Sequence, residues 1–320
     1  MGAENRITKV AIVGAGGRCG RYVTEALLEN GKHTVTAITR TDSTSGFPDG
    51  VTVTKVDFAD PLTLTASLKG QDALVMTLSL SSPLETEAQL IRAAADAGVP
   101  WVLPNDWSPD TDDEALVKDI SVLQPRAEAR KLISRLGKSS YISVSTSFWY
   151  EWSLSIPEAF GIDIKNRSVT YFDRGETRIS TSTWPQVGRT VAALLSLPVE
   201  SGMFSSEVSL GKFRNKVVHV NSFTLSQKDM FESVLRVTGT DTKEWTVKHE
   251  HSKDRYDEGL KADSVVKLLY SRVFYPDGSG DVENSKGTIN GLLGLPTEDV
   301  DDATRRAMER LDSPVVSPPV

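Results

Sequence analysis

Residues Thr8–Val13 form a short, β-branched and almost wholly apolar run, the pattern of a strand buried on both faces of a parallel sheet. A helical pattern follows at once: Arg18–Asn30 carries apolar residues at Tyr22, Val23, Ala26 and Leu27, and Gly31 stands where a left-handed stop is expected. Strand-like runs recur at His33–Thr39, Val51–Val56, Ala73–Leu78, Trp101–Pro104 and Ser140–Thr146, with helical stretches at Pro61–Lys69, Glu85–Ala97 and Gln124–Leu136. Strands alternating with helices predict an α/β fold built on a Rossmann-type, doubly wound parallel sheet of six strands. Beyond about Glu151 the alternation fails. The pattern there predicts a strand at Lys216–Val220 and helices at Ser226–Thr238, Ser264–Tyr270 and Thr297–Leu311. We therefore expect one domain over residues 1–152 and a smaller mixed α/β lobe over 153–320, with segments near 180–222 returning to the sheet. The Pro-rich residues Ser313–Val320 are expected to fray.

Composition narrows the class. The 320 residues suffice for two lobes with a core each, and 39% hydrophobic and 25% charged residues are ordinary globular usage. A net charge of -7 without a basic cluster argues against nucleic acid as a partner. The single cysteine, Cys19, excludes an intrachain disulfide and a multi-cysteine metal site. His33, His219, His249 and His251 are too scattered for a zinc site, and His249-Glu250-His251 reads as a solvated strand edge. No run approaches the ~20 apolar residues of a membrane span, and the N-terminal residues lack a secretory pattern, so a cytoplasmic address is expected.

The chemistry begins at Gly14-Ala15-Gly16-Gly17-Arg18-Cys19-Gly20, between a predicted strand and a predicted helix. Gly14 permits the tight turn, Gly17 lets backbone approach a pyrophosphate, and Gly20 lets the helix pack closely, while the helix N-terminus offers amides and positive dipole. The GxxGxxG spacing is that of short-chain dehydrogenases and their extended and atypical relatives. A nicotinamide dinucleotide is the expected ligand, with Cys19 among its contacts. At the end of the second strand an acidic residue would select NAD, whereas here the strand ends Thr39-Arg40. Arg40 and Arg18 are both placed to meet a 2′-phosphate, so NADP(H) is the expected cofactor. Asp57 and Phe58 follow the third strand and are expected to bound the adenine, Asp60 being the better cap for the next helix.

The turn GAGGRCG, then VDFADPLTLTASLKGQDALVMTLS, AQLIRAAADAGVPWVLPNDWSPD and NKVVHVNSFTLSQKDMFESV together resemble the NmrA-like and isoflavone-reductase-like branch of atypical short-chain dehydrogenases, over roughly residues 7 to 240. The resemblance implies cofactor contacts at Leu78 and Ser79 after the fourth strand, at Asn105 after the fifth and at Phe148 after the sixth. Where the family usually reads Leu-Pro-Ser-Glu-Phe-Gly, this chain has Leu103-Pro104-Asn105-Asp106-Trp107-Ser108. The family's lysine, which opens a Lys-x-x-x-Arg helix beside the nicotinamide, falls on Arg126, and its arginine on Arg130.

That replacement changes the chemistry available. A guanidinium with pKa above ~12 can hold a ribose or stabilise an oxyanion but cannot trade a proton at neutral pH. Arg126 is thus expected as a cofactor contact and catalytic charge, or as a helix-surface residue only. Lys131, about 500° of helical rotation further on, faces away and is a poor replacement. No Ser-Tyr-x-x-x-Lys constellation is present. The stretch Ser147-Phe148-Trp149-Tyr150-Glu151-Trp152 and Trp107 concentrate aromatics where the resemblance puts a cleft wall, in a chain only 7% aromatic. Trp107, Tyr150 and Trp152 are expected to contact a flat or aromatic substrate, with the Tyr150 phenol as a catalytic donor.

Three readings remain open: an NADPH-dependent reductase of a phenolic or natural-product-like molecule in secondary metabolism; a cofactor-sensing regulator read by a protein partner; and a redox-neutral isomerase, dehydratase or cyclase. A homodimer is also open.

Overall fold

The computed structural model describes residues 5–79, 82–202 and 207–311. The first half runs β1 (Lys9–Val13), α1 (Arg18–Asn30), β2 (Thr34–Arg40), β3 (Thr52–Val56), α2 (Pro61–Leu68), β4 (Ala73–Met76), α3 (Leu84–Ala97), β5 (Trp101–Leu103), α4 (Glu114–Asp119), α5 (Gln124–Leu136) and β6 (Ser140–Ser145). It continues through β7 (Phe148–Trp149), α6 (Tyr150–Leu154), α7 (Pro157–Phe160), β8 (Ile162–Asp163), β9 (Ser168–Phe172), β10 (Arg178–Ser182), α8 (Trp184–Leu195), β11 (Lys216–His219) and β12 (Phe223–Ser226). The last elements are α9 (Gln227–Thr238), β13 (Thr246–Glu250), α10 (Ser252–Ala262), α11 (Val265–Val273), α12 (Val282–Ser285) and α13 (Val300–Met308).

The central sheet has the order β11-β6-β5-β4-β1-β2-β3, every neighbouring pair parallel. The doubly wound expectation holds, with seven strands rather than six, because β11 extends the sheet beyond β6. Helices cover both faces, and two buried apolar clusters lie on opposite sides of the strands. Strand order reverses between β1 and β4, the crevice where doubly wound folds bind their ligands.

The sequence explains the close packing at this crevice. α1 buries Cys19, Val23 and Leu27, spaced one turn apart, against the sheet and stops at Gly31, whose φ of 70° is left-handed. An adjacent face of α1 meets α8, where a Cβ at Gly188 would fall 2.4 Å from the Tyr22 carbonyl oxygen. The other two sheets, β12-β10-β7 and β13-β9-β8, support an aromatic core around Tyr150, Phe160 and Phe274. The residues predicted to fray, 313–320, lie outside the described residues.

Candidate functional site

The glycines of the turn have different tasks. A Cβ at Gly14 (φ 84°) would lie 2.2 Å from the Thr77 carbonyl oxygen, and one at Gly20 only 2.1 Å from that of Gly14. Those two let strand and helix touch. A Cβ at Gly17 would meet only the Gly14 oxygen, at 3.0 Å, and Gly17 is exposed at the head of α1. No side chain caps α1, and its first turn holds no acidic residue. An uncapped helix end beside an exposed glycine suits an anionic group, so the turn fits a dinucleotide pyrophosphate. Cys19 can contribute only backbone: its side chain is buried in the core, which pushes the thiol pKa up.

Further along the strand ends, Arg40, Thr41, Asp42, Asp57 and Phe58 line a cavity of about 300 Å³. The Arg40 side chain is exposed and lies 3.6 Å from Asp42, a surface pairing weak enough to yield to a phosphate. Asp57 was expected to keep its carboxylate for the adenine. Asp57 lines this cavity while its Oδ1 accepts the Ala59 N–H at 2.9 Å, and Asp60 caps the helix as expected.

On the other side of the crevice Leu78, Ser79, Glu87, Asn105 and Arg126 line a cavity of about 400 Å³. The Asn105 amide clamps the end of β4, accepting the Leu78 N–H at 2.9 Å and donating to the Leu78 carbonyl at 3.2 Å. Its own N–H donates to Glu87. Burial pushes the Glu87 carboxyl up to about 7, against the opposing pull of the Asn105 N–H and the Arg126 charge. Glu87 was not anticipated, since an acidic residue in the first turn of α3 looks like ordinary dipole complementation.

A narrower apolar slot of about 70 Å³ adjoins it, walled by Trp107, Phe148, Trp149, Trp152 and Tyr270, with Arg126 also in its lining. Trp107 is held by its indole N–H, which donates to the Met76 carbonyl at 2.7 Å. Arg126 is therefore shared by both cavities. One guanidinium N–H donates to the Val122 carbonyl at 2.9 Å, while Nε is buried with no partner. Burial lowers its pKa, against the neighbouring Asp106 and Glu87 charges. One helical turn on, Arg130 is buried against Asp106, whose Oδ2 also accepts from Thr111 and Ser143. This pin fastens α5 to the segment after β5 and so sets where Arg126 sits. Lys131 is exposed and pairs with Glu128.

Tyr150 requires a correction. It is completely buried, outside the lining of either cavity, with its hydroxyl at 2.9 Å from Thr304 and its ring against Phe160 and Phe223. The β7-to-α6 turn directs it into the core, so it is neither a catalytic donor nor a substrate contact. Tyr270 instead lines the slot, but from α11, far along the chain, where the sequence offered only an amphipathic helix. Among the described residues no group of His, Cys, Asp and Glu could hold a metal ion, and no helix is long and apolar enough to cross a membrane.

Residues 7–156, which carry the glycine turn and both α5 arginines, match the model of the NmrA-like family. The oxidoreductase aprR of Aspergillus flavus is 26% identical over 310 residues, covering 92% of this chain and 96% of its own. The oxidoreductase poxI of Penicillium oxalicum is 22% identical, covering 92% of each. Among solved structures, pinoresinol-lariciresinol and phenylcoumaran benzylic ether reductases superpose with a TM-score of 0.75 at 17% identity, covering 94% of this chain and 99% of theirs. An NADPH-dependent quinone oxidoreductase of Escherichia coli, in complex with NADPH, gives 0.67 at 19% identity, covering 93% and 99%.

Proposed function

We propose that the chain is an NADP(H)-dependent reductase of a flat aromatic small molecule, of phenolic or quinone type. The observation that carries this reading is Arg126, a fixed cation with an unpartnered N–H at the seam between the crevice cavity and the aromatic slot. The glycine turn would hold the pyrophosphate, with Arg18 beside it, Arg40 a 2′-phosphate, and Leu78, Ser79 and Phe148 the nicotinamide end, where the bound dinucleotide supplies a hydride. Indole and phenyl walls in the slot exclude water and stack a planar ring. Arg126 would stabilise negative charge developing on a substrate oxygen, a task that needs position and charge but no proton release. Relatives named oxidoreductases and NADPH-bound neighbours of the same fold support the reading. The test is stoichiometric NADPH consumption across a panel of quinones, enones and benzylic ethers of phenols. Turnover of one class supports the proposal. Product formation without NADPH loss would favour a redox-neutral enzyme, and tight cofactor binding without any turnover would favour a sensor.

A further inference from the structure

We infer that Arg310, just beyond the last helix, is a ligand for the dinucleotide pyrophosphate, delivered to the glycine turn by the C-terminal segment. This deepens the cofactor reading and rests on it. A cavity of about 190 Å³ beside the turn is lined, among the described residues, by Gly16, Gly17, Tyr22, Trp184 and three arginines, Arg18, Arg21 and Arg310, and by no carboxylate. The Arg310 guanidinium lies over the Trp184 ring, 4.8 Å from its centroid, and Trp184 stacks in turn on Tyr22 of α1. Arg310 is thus braced against the helix that carries the turn.

Among the described residues two buried donors here have no hydrogen-bond partner: Nε of Arg310 and the indole N–H of Trp184, a residue 4% exposed. Orphaned buried donors cost stability unless a ligand satisfies them. Three cations gather as well, and burial together with the nearby Arg310 charge lowers the pKa of Arg18. The first residues of both α1 and α8 line the cavity, so two helix N-termini add positive potential. Like charges and unpaired donors around a glycine turn match one chemistry, a phosphate-bearing anion. The glycine spacing identifies it as the pyrophosphate.

The experiment compares wild type, Arg310→Gln, Arg310→Lys and Gly17→Val in calorimetric titrations with NADPH, adenosine 2′-phosphate and inorganic phosphate, with thermal melts of the cofactor-free proteins as a fold control. Arg310→Gln should weaken NADPH by about tenfold or more, and Arg310→Lys by less. Adenosine 2′-phosphate, which lacks the pyrophosphate, should bind wild type and Arg310→Gln alike. NADPH should also protect the amides of α13 from hydrogen exchange in wild type and not in Arg310→Gln, a readout that a destabilised variant would not mimic. Unchanged NADPH affinity in Arg310→Gln, with binding lost in Gly17→Val, would overturn this inference alone. So would a loss confined to inorganic phosphate, which would mark a separate anion site. Unchanged affinity in both variants would overturn the dinucleotide reading itself.

Discussion

Replacing Arg126 by alanine is the perturbation on which the reductase account stands most exposed. The guanidinium has one N–H committed to the Val122 carbonyl and its Nε unpartnered and buried. Removing it should cost the fold little, because the Val122 bond is worth about 1 kcal/mol and a desolvated charge is relieved at the same time. The effect on turnover should be larger. A preorganised donor aimed at developing oxyanion charge is worth about 10² to 10³ in kcat, roughly 2.7–4 kcal/mol. With part of its donor capacity already committed, Arg126→Ala should sit at the lower end, near a hundredfold. Because Arg126 holds the Glu87 pKa down, the variant should keep Glu87 protonated at neutral pH and create no new unpaired anion. The assay is steady-state NADPH oxidation with the best panel substrate, beside calorimetric NADP affinity and a thermal melt. Lowered kcat with affinity and stability nearly intact is expected. Affinity falling with turnover would make Arg126 a cofactor ligand, and an unchanged kcat would refute the reasoning. Arg126→Lys should retain much of the turnover.

Two further substitutions separate architecture from binding. Gly20→Ala should unfold or strongly destabilise the protein, since its methyl would lie 2.1 Å from the Gly14 carbonyl, whereas Gly17→Val should leave the melt near wild type and abolish cofactor binding. Glu87→Gln tests the buried carboxyl. The unfolded group ionises near 4.5 and the folded one near 7, so wild type loses this contribution as pH rises between those values. The variant should therefore match wild type at pH 4 and exceed it at pH 8, by up to about 3 kcal/mol, in urea denaturation. A variant less stable than wild type at pH 8 would contradict the assignment.

Much of the fold was legible because local signals agreed. α1 and α5 have the bounds their periodicity predicts, each closed by a glycine in the left-handed region, and the β-branched runs became strands. α8, which holds Pro185 and Gly188, lies in the stretch where the alternation of strand and helix patterns fails. Proline is tolerated at the start of a helix, and Gly188 is the residue that lets α8 reach Tyr22. The cavity linings were legible where they depend on strand ends, the glycine turn and α5, at Arg40, Gly17 and Arg126. They were not legible where tertiary packing decides a side chain's direction. Trp149 and Tyr150 are adjacent aromatics, yet one walls the slot and the other is core. Nor could spacing bring Tyr270, Trp184 and Arg310 to the crevice, for they arrive on elements whose order along the chain says nothing of their neighbours in space.

The central claim is that the crevice binds NADP(H), with Arg40 reading its 2′-phosphate. Parallel calorimetric titrations with NADPH and NADH test it most directly. The account predicts one site per chain, with NADH at least about tenfold weaker, or 1.4 kcal/mol, and most of that gap lost in Arg40→Ala. Equal affinities would contradict the phosphate assignment, and absence of binding by either nucleotide would contradict the account as a whole.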